Sequence, residues 1–174
     1  MSSSSSTAAA TRPNVKPASR FKLFAAMMYE GVLLFAVVFI AAFLFDTLTQ
    51  SRSGLQLHWQ RQFVVLIAIG IYFVLCWYRR QQTVAMKAWH LKLIALPGRQ
   101  LTLARLVLRY VLCWPIPLLG AFAIEYLTQV TGWPSFYMFI VFCPFLNLLA
   151  SVVNPQGLLW HDWICGTRIV DVKI

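Results

Sequence analysis

Acidic residues are scarce in this chain. Five Asp and Glu stand against fifteen Lys and Arg, and charged residues of both signs make up only 11%. A soluble domain carries about 25% charged residues, so a surface that faces water all round is excluded. Histidines number three and cysteines four. Cys76, Cys113, Cys143 and Cys165 lie apart among apolar neighbours, with no C-x-x-C pair and no Cys/His cluster. That pattern indicates neither a zinc site nor a disulfide framework. A glycine-rich phosphate loop, a nucleophile–base pair and a haem motif are also missing, so no cofactor and no enzymatic activity is expected.

What the chain has in abundance is apolar side chains, 60% of 174 residues. A water-soluble protein this short leaves too much surface exposed to hide them, whereas lipid as the solvent removes the difficulty. Four apolar runs stand out, at about residues 23–45, 63–78, 106–127 and 136–153. At about 1.5 Å per residue the longest of them spans the roughly 30 Å of a hydrocarbon layer. Pro115, Pro117 and Pro144 lie inside the last two runs and predict kinks that neighbouring helices must re-satisfy. Residues 46–61 and 131–135 read as short connections, and Asn154–Gly157 as the stop after the fourth run. The expected fold class is an all-α membrane protein: a four-transmembrane-helix bundle with a small cytoplasmic β-hairpin or sheet layer.

The layer is read between the second and third runs. Trp89 to Leu93 alternates apolar and polar, Pro97-Gly98 signals a turn, and Gln100 to Leu103 alternates again, which predicts a hairpin. It is too short to stand alone in water, so it must lean on the bilayer or pair with Thr167–Val172, another candidate strand. Residues 1–19 are small, polar and proline-bearing and are expected to be a disordered tail ahead of a membrane domain over 20–174. The first apolar run is too long for a signal-peptide core, and no convincing A-x-A site follows it.

Thirteen of the fifteen basic residues fall in the N-terminal stretch, the middle loop with its flanks, and the C-terminal tail; only Arg52 and Arg61 fall on the other side. The positive-inside rule then places both termini and the middle loop in the cytoplasm of a bacterial-type inner membrane. This accounts for the net charge of +10 without nucleic acid. Anionic lipid head groups are the expected partner.

Glu30 is the sharpest single feature. It lies within the first run, roughly 10 Å along the helix, where an ionisable group is costly and is by default a functional candidate. One reading makes it a proton or cation site; another makes it an ion pair holding helices together, with Arg109 at the cytoplasmic end of the third run as partner. Asn147, Ser151 and Asn154 share one face of the fourth run, either lining an ion path or hydrogen-bonding across helices. His161-Asp162 lacks the converging ligands a hydrolytic metal needs, so no metal is expected. Asp162 is expected to pair in the surface layer with Arg105 or Lys87, and Gly166 to supply the turn before the last strand.

In order along the chain, four elements resemble the RDD family of small membrane proteins. The first runs from Pro17-Ala18-Ser19 through Lys22 to Ala25-Ala26-Met27-Met28-Tyr29-Glu30, with Lys22 and Glu30 where the family has arginine and aspartate. Next comes Gln82-Thr83-Val84-Ala85-Met86-Lys87, continuing to Lys92. Leu101-Thr102 with Arg105 and Arg109 is the third, and Gln156 to His161-Asp162 followed by Gly166-Thr167-Arg168 is the fourth. The resemblance implies family-motif roles for Lys22, Glu30, Thr83, Lys87, Arg105, Arg109, His161, Asp162, Gly166 and Thr167. It also implies a link, for some members, to cation/proton exchange. The expected function is structural, assembly or partner/lipid-recruiting. The alternative is exchange centred on Glu30, which four helices would support only as a homo-oligomer.

Overall fold

The structure is a computed structural model. It describes residues 17–50, 57–96, 98–153 and 159–172, with residues 150–153 described by backbone alone. The tail up to residue 16, Pro97, and the Asn154–Gly157 stop lie outside the described residues. Helix α1 spans Arg20–Thr49 and α2 spans His58–Arg80. A short helix α3 (Val84–Ala88) and strand β1 (Leu91–Ala95) follow. Then come α4 (Leu103–Leu112), α5 (Pro115–Thr131) and a 3₁₀ stretch (Pro134–Phe145). The chain ends with α6 (Leu146–Val153), α7 (Trp160–Cys165) and β2 (Thr167–Asp171).

Among the described residues, three helical stretches are long and apolar enough to cross a membrane: Arg20–Thr49, His58–Arg80 and the combined Leu103–Thr131. Phe35, Phe39, Phe43, Phe122 and Phe142 all stand exposed along the apolar segments, the expected state of side chains whose solvent is lipid. The protein is a multi-pass membrane protein. Where α2 meets α4, Gly70 leaves a notch for the Tyr110 ring, and the Tyr110 hydroxyl donates to the Leu66 carbonyl at 2.7 Å.

The third run is not one unbroken helix. Pro115 and Pro117 have no N–H to give to Val111 and Cys113. The Val111 carbonyl instead accepts from Trp114 N at 3.2 Å, a tightened turn, and the Cys113 carbonyl accepts from the Asn147 side-chain amide at 2.9 Å. The break is thus healed by a polar group from the next segment, as proline kinks in lipid require. The fourth run also differs from a plain helix. Its first twelve residues form the 3₁₀ stretch, with Pro144 inside it; this stretch packs along α5. At about 2.0 Å per residue it covers about 24 Å, to which α6 adds about 12 Å.

A soluble-type core gathers at the end of the bundle where α1 begins and α2 ends. Leu23, Ala26, Trp77, Met86, Leu91, Leu93 and Leu106 form it. The sheet beside it corrects the expected hairpin. β1 pairs antiparallel with β2, Leu91 opposite Asp171 and Ala95 opposite Thr167. Gln100 to Leu103 forms no strand: Gly98 does take a turn conformation at φ +79°, but Thr102 caps α4, and Leu103 begins it. Too few residues remain for a second strand, because Leu106, Arg109 and Tyr110 follow helical spacing. Residues 17–19, within the stretch expected as tail, are tied to the domain. Pro17 bridges to Val170, Ala18 N donates to the Ile169 carbonyl at 3.3 Å, and Ser19 accepts from Lys22 N as the cap of α1.

Candidate functional site

Among the described residues seven polar or charged side chains are buried: Glu30, Thr83, Arg109, Asn147, His161, Asp162 and Thr167. The sequence singles out every one of them. Two clusters take six.

The first centres on Arg109, at the last turn of α4. Its Nη2 lies 2.7 Å and its Nε 3.0 Å from Asp162 Oδ1, and both side chains are almost fully enclosed. The Thr167 hydroxyl donates to the same oxygen at 2.7 Å. Opposite, the guanidinium lies 4.5 Å from the centroid of the Trp77 ring, a cation–π contact strengthened by desolvation. Local structure sets this up. Asp162 falls on the inner face of the short helix α7, and Gly166 ends that helix at φ +63°, so the chain reverses and Thr167 returns beside it. Any other residue at position 166 would be strained and would also overlap Arg99.

Burial alone would raise the Asp162 pKa. The Arg109 charge and the hydrogen bonds from Thr167 and Arg109 outweigh it and hold the carboxyl below its usual range. Burial pushes neighbouring His161 down to about 4, and the Arg109 charge acts in the same direction. His161 is therefore a neutral imidazole at physiological pH, and its Nδ1 has no hydrogen-bond partner among the described residues. Burial likewise raises the Cys165 thiol, which favours the unreactive protonated form.

The second cluster centres on Glu30. Tyr72 Oη donates to Glu30 Oε1 at 2.6 Å, and the Thr83 hydroxyl donates to Oε2. Thr83 also accepts from Met86 N and so caps α3. One side chain thereby starts a surface helix and binds the buried acid. The expected Glu30–Arg109 pair does not form: Arg109 is taken by Asp162, and Glu30 by two hydroxyls. The partner expected for Asp162 is likewise corrected. Arg105 donates to the Gln100 carbonyl at 2.8 Å, and Lys87 is exposed on α3.

A third tie lies at the rim, where Lys22 Nζ meets Asp171 Oδ2 at 2.5 Å. It joins the first turn of α1 to the last residue of β2. At the far ends of α1 and α2, Asp46 and Arg61 stand 3.6 Å apart. Of the polar stripe on the fourth run, Asn147 bonds across to Cys113; the Ser151 side chain and all of Asn154 lie outside the described residues.

Sequence reasoning missed Tyr72, Trp77 and Asp171. Tyr72 is the phenol in the interior of the second apolar run, a polar handle that needs a partner in lipid; that signal was available. Trp77 stands beside Tyr78 and Arg79 at the end of the second apolar run, and nothing in these neighbours announces the Arg109 guanidinium against its ring.

Fold and site together define a polytopic membrane protein whose buried polar groups gather where its helices meet a small surface layer. The sequence model of the RDD family matches residues 17–166, and the chain belongs to the RDD family. Comparison with curated proteins and with solved structures gives no match.

Proposed function

We propose that this RDD-family protein is a non-enzymatic inner-membrane protein that crosses the bilayer four times, with both termini and the surface layer in the cytoplasm. Its role is structural, in assembly or in recruiting lipid or a partner through the basic layer. One observation carries this reading. The Arg109–Asp162–Thr167 cluster and the Lys22–Asp171 pair join the C-terminal segment to α4 and α1, so these charges hold elements together. The uneven distribution of Lys and Arg supports the orientation. The combined length of the 3₁₀ stretch and α6 supports a fourth crossing. Anionic head groups are the partners the basic layer fits.

A second reading has its own support. Glu30 is buried between two hydroxyl donors, so no counter-charge among those hydrogen-bond partners locks its proton. Cation/proton exchange through Glu30, in a homo-oligomer, would use such a group. Reconstitution into liposomes with an imposed cation gradient and an internal pH dye separates the two. The first reading expects no protein-dependent proton flux. Flux that vanishes in Glu30→Gln, with the variant still inserted, would overturn it in favour of the second. Flux unchanged in Glu30→Gln would sink both the first reading and the role of Glu30.

A further inference from the structure

Helix α7 is amphipathic in the inverted sense. His161, Asp162 and Cys165 face inward and are buried, while Trp160, Trp163 and Ile164 face outward at 42%, 61% and 37% exposure. A helix on a water-facing layer presents its polar side outward. The reversal is forced, because Asp162 must reach Arg109 inside. The two outward indoles touch, with ring centroids 6.4 Å apart. Indoles are enriched where one end of the ring meets hydrocarbon and the other water. α7 also packs against α4 and α6, at the mouth of the bundle.

Two arginines stand at the C-terminal end of the same helix. Arg99 lies against Gly166, where an added Cβ would come within 2.7 Å of Arg99 Nη1. Arg105 lies one turn before Arg109 on α4, the helix that packs against α7 through the Arg109–Asp162 pair. Arg105 gives one donor to the Gln100 carbonyl and forms no ion pair among the described residues. An apolar edge with two guanidiniums beside it matches a phospholipid: acyl boundary against the rings, phosphate against the arginines.

We propose that α7 lies in the plane of the membrane interface, with Trp160, Trp163 and Ile164 in the headgroup–acyl boundary. Arg99 and Arg105 then hold an anionic phospholipid headgroup at its C-terminal end. This rests on the reading that the surface layer faces the anionic cytoplasmic leaflet, and it names where on that layer the contact is made.

The test uses the full-length protein in phosphatidylcholine vesicles containing phosphatidylglycerol. Bromines near the top of the acyl chain, on one lipid or the other, quench nearby indoles. The signal of Trp160 and Trp163 is the difference between wild type and Trp160→Phe/Trp163→Phe; Trp163→Phe alone is a milder second variant. Shallow bromines are expected to quench that difference signal, and aqueous iodide is not. Quenching by iodide instead would overturn the placement. Quenching by neither would mean that protein covers the indoles, and would overturn it too. Brominated phosphatidylglycerol should be favoured over brominated phosphatidylcholine by about fivefold for each arginine, and Arg99→Gln/Arg105→Gln should abolish the preference. A preference that survives those changes overturns this site and leaves general contact between lipid and the basic layer standing. Absence of any preference overturns both.

Discussion

Asp162→Asn removes the carboxylate that neutralises Arg109 and keeps its shape. The guanidinium would remain in a site where the residue is 2% exposed, facing only neutral groups among the described residues: the new amide, the Thr167 hydroxyl and the Trp77 face. Breaking a buried pair from one side costs about 3–5 kcal/mol, chiefly because a charge is left uncompensated. At about 1.4 kcal/mol per tenfold, that is a loss of roughly 100-fold to a few thousand-fold in the folding equilibrium. Arg109→Leu also destabilises, but leaves an acid that can take up a proton. The double variant should cost less than the sum of the singles by about 2 kcal/mol or more, since the second change removes the charge the first one stranded. Reversible unfolding in mixed micelles, or steric trapping in bilayers, measures all four corners of the cycle. Additivity within about 0.5 kcal/mol, or an Asp162→Asn cost below about 1 kcal/mol, would refute the claim that this pair holds the C-terminal segment in place.

Acidification should weaken the same region in two stages. His161 has a lowered pKa, about 4 against an ordinary 6.5, so its neutral form stabilises the fold above pH 6.5. That contribution falls away from pH 6.5 to about 4, in total by about 3 kcal/mol, and His161→Gln should flatten this stage in a pH series of unfolding curves. Asp162 also has a lowered pKa, so its contribution is lost only as pH falls below about 3.8. Asn147→Ala should cost about 1–3 kcal/mol by leaving the Cys113 carbonyl bare in lipid. Pro117→Ala, which restores an N–H four residues on, should recover much of that loss; no recovery would mean the amide is not healing the break. Gly70→Ala brings a Cβ to 2.8 Å from the Tyr110 ring and should cost about 1–3 kcal/mol through overpacking. A neutral Gly70→Ala in the same unfolding assay would show that α2 and α4 pack less closely.

The apolar runs and their basic flanks could be read directly from the chain because each is a local property. Hydropathy marks a span wherever it ends up, and lipid asks only for length. The residues of both clusters were legible for a related reason: a buried acid or arginine is expensive and stands out against 60% hydrophobic sequence. Their pairing was not legible. Glu30 was the acid a sequence argument offered Arg109, and no local signal favoured Asp162 over it. The choice is made by the Gly166 reversal, which carries Asp162 and Thr167 to α4 together. The sheet was legible in part: pairing with the Thr167–Val172 strand was one of the two expected outcomes, but alternation at Leu91–Ala95 fits either neighbour. Only the start of α4 at Leu103 rules out the nearer one. The 3₁₀ stretch escaped because an apolar run with prolines looks the same at either helical pitch.

Site-directed thiol labelling tests most directly that the polar clusters belong to one cytoplasmic layer. Cys165 is only 2% exposed and its thiol is pushed up, so it makes a poor reporter. Lys87→Cys on α3 and Ser135→Cys beyond α5 are both at exposed positions and can be placed singly in a background without the native cysteines. In sealed vesicles of known orientation, an impermeant reagent should label Lys87→Cys only from the cytoplasmic face and Ser135→Cys only from the opposite face. Labelling of both from the same face, or of Lys87→Cys from the outside, would contradict the account.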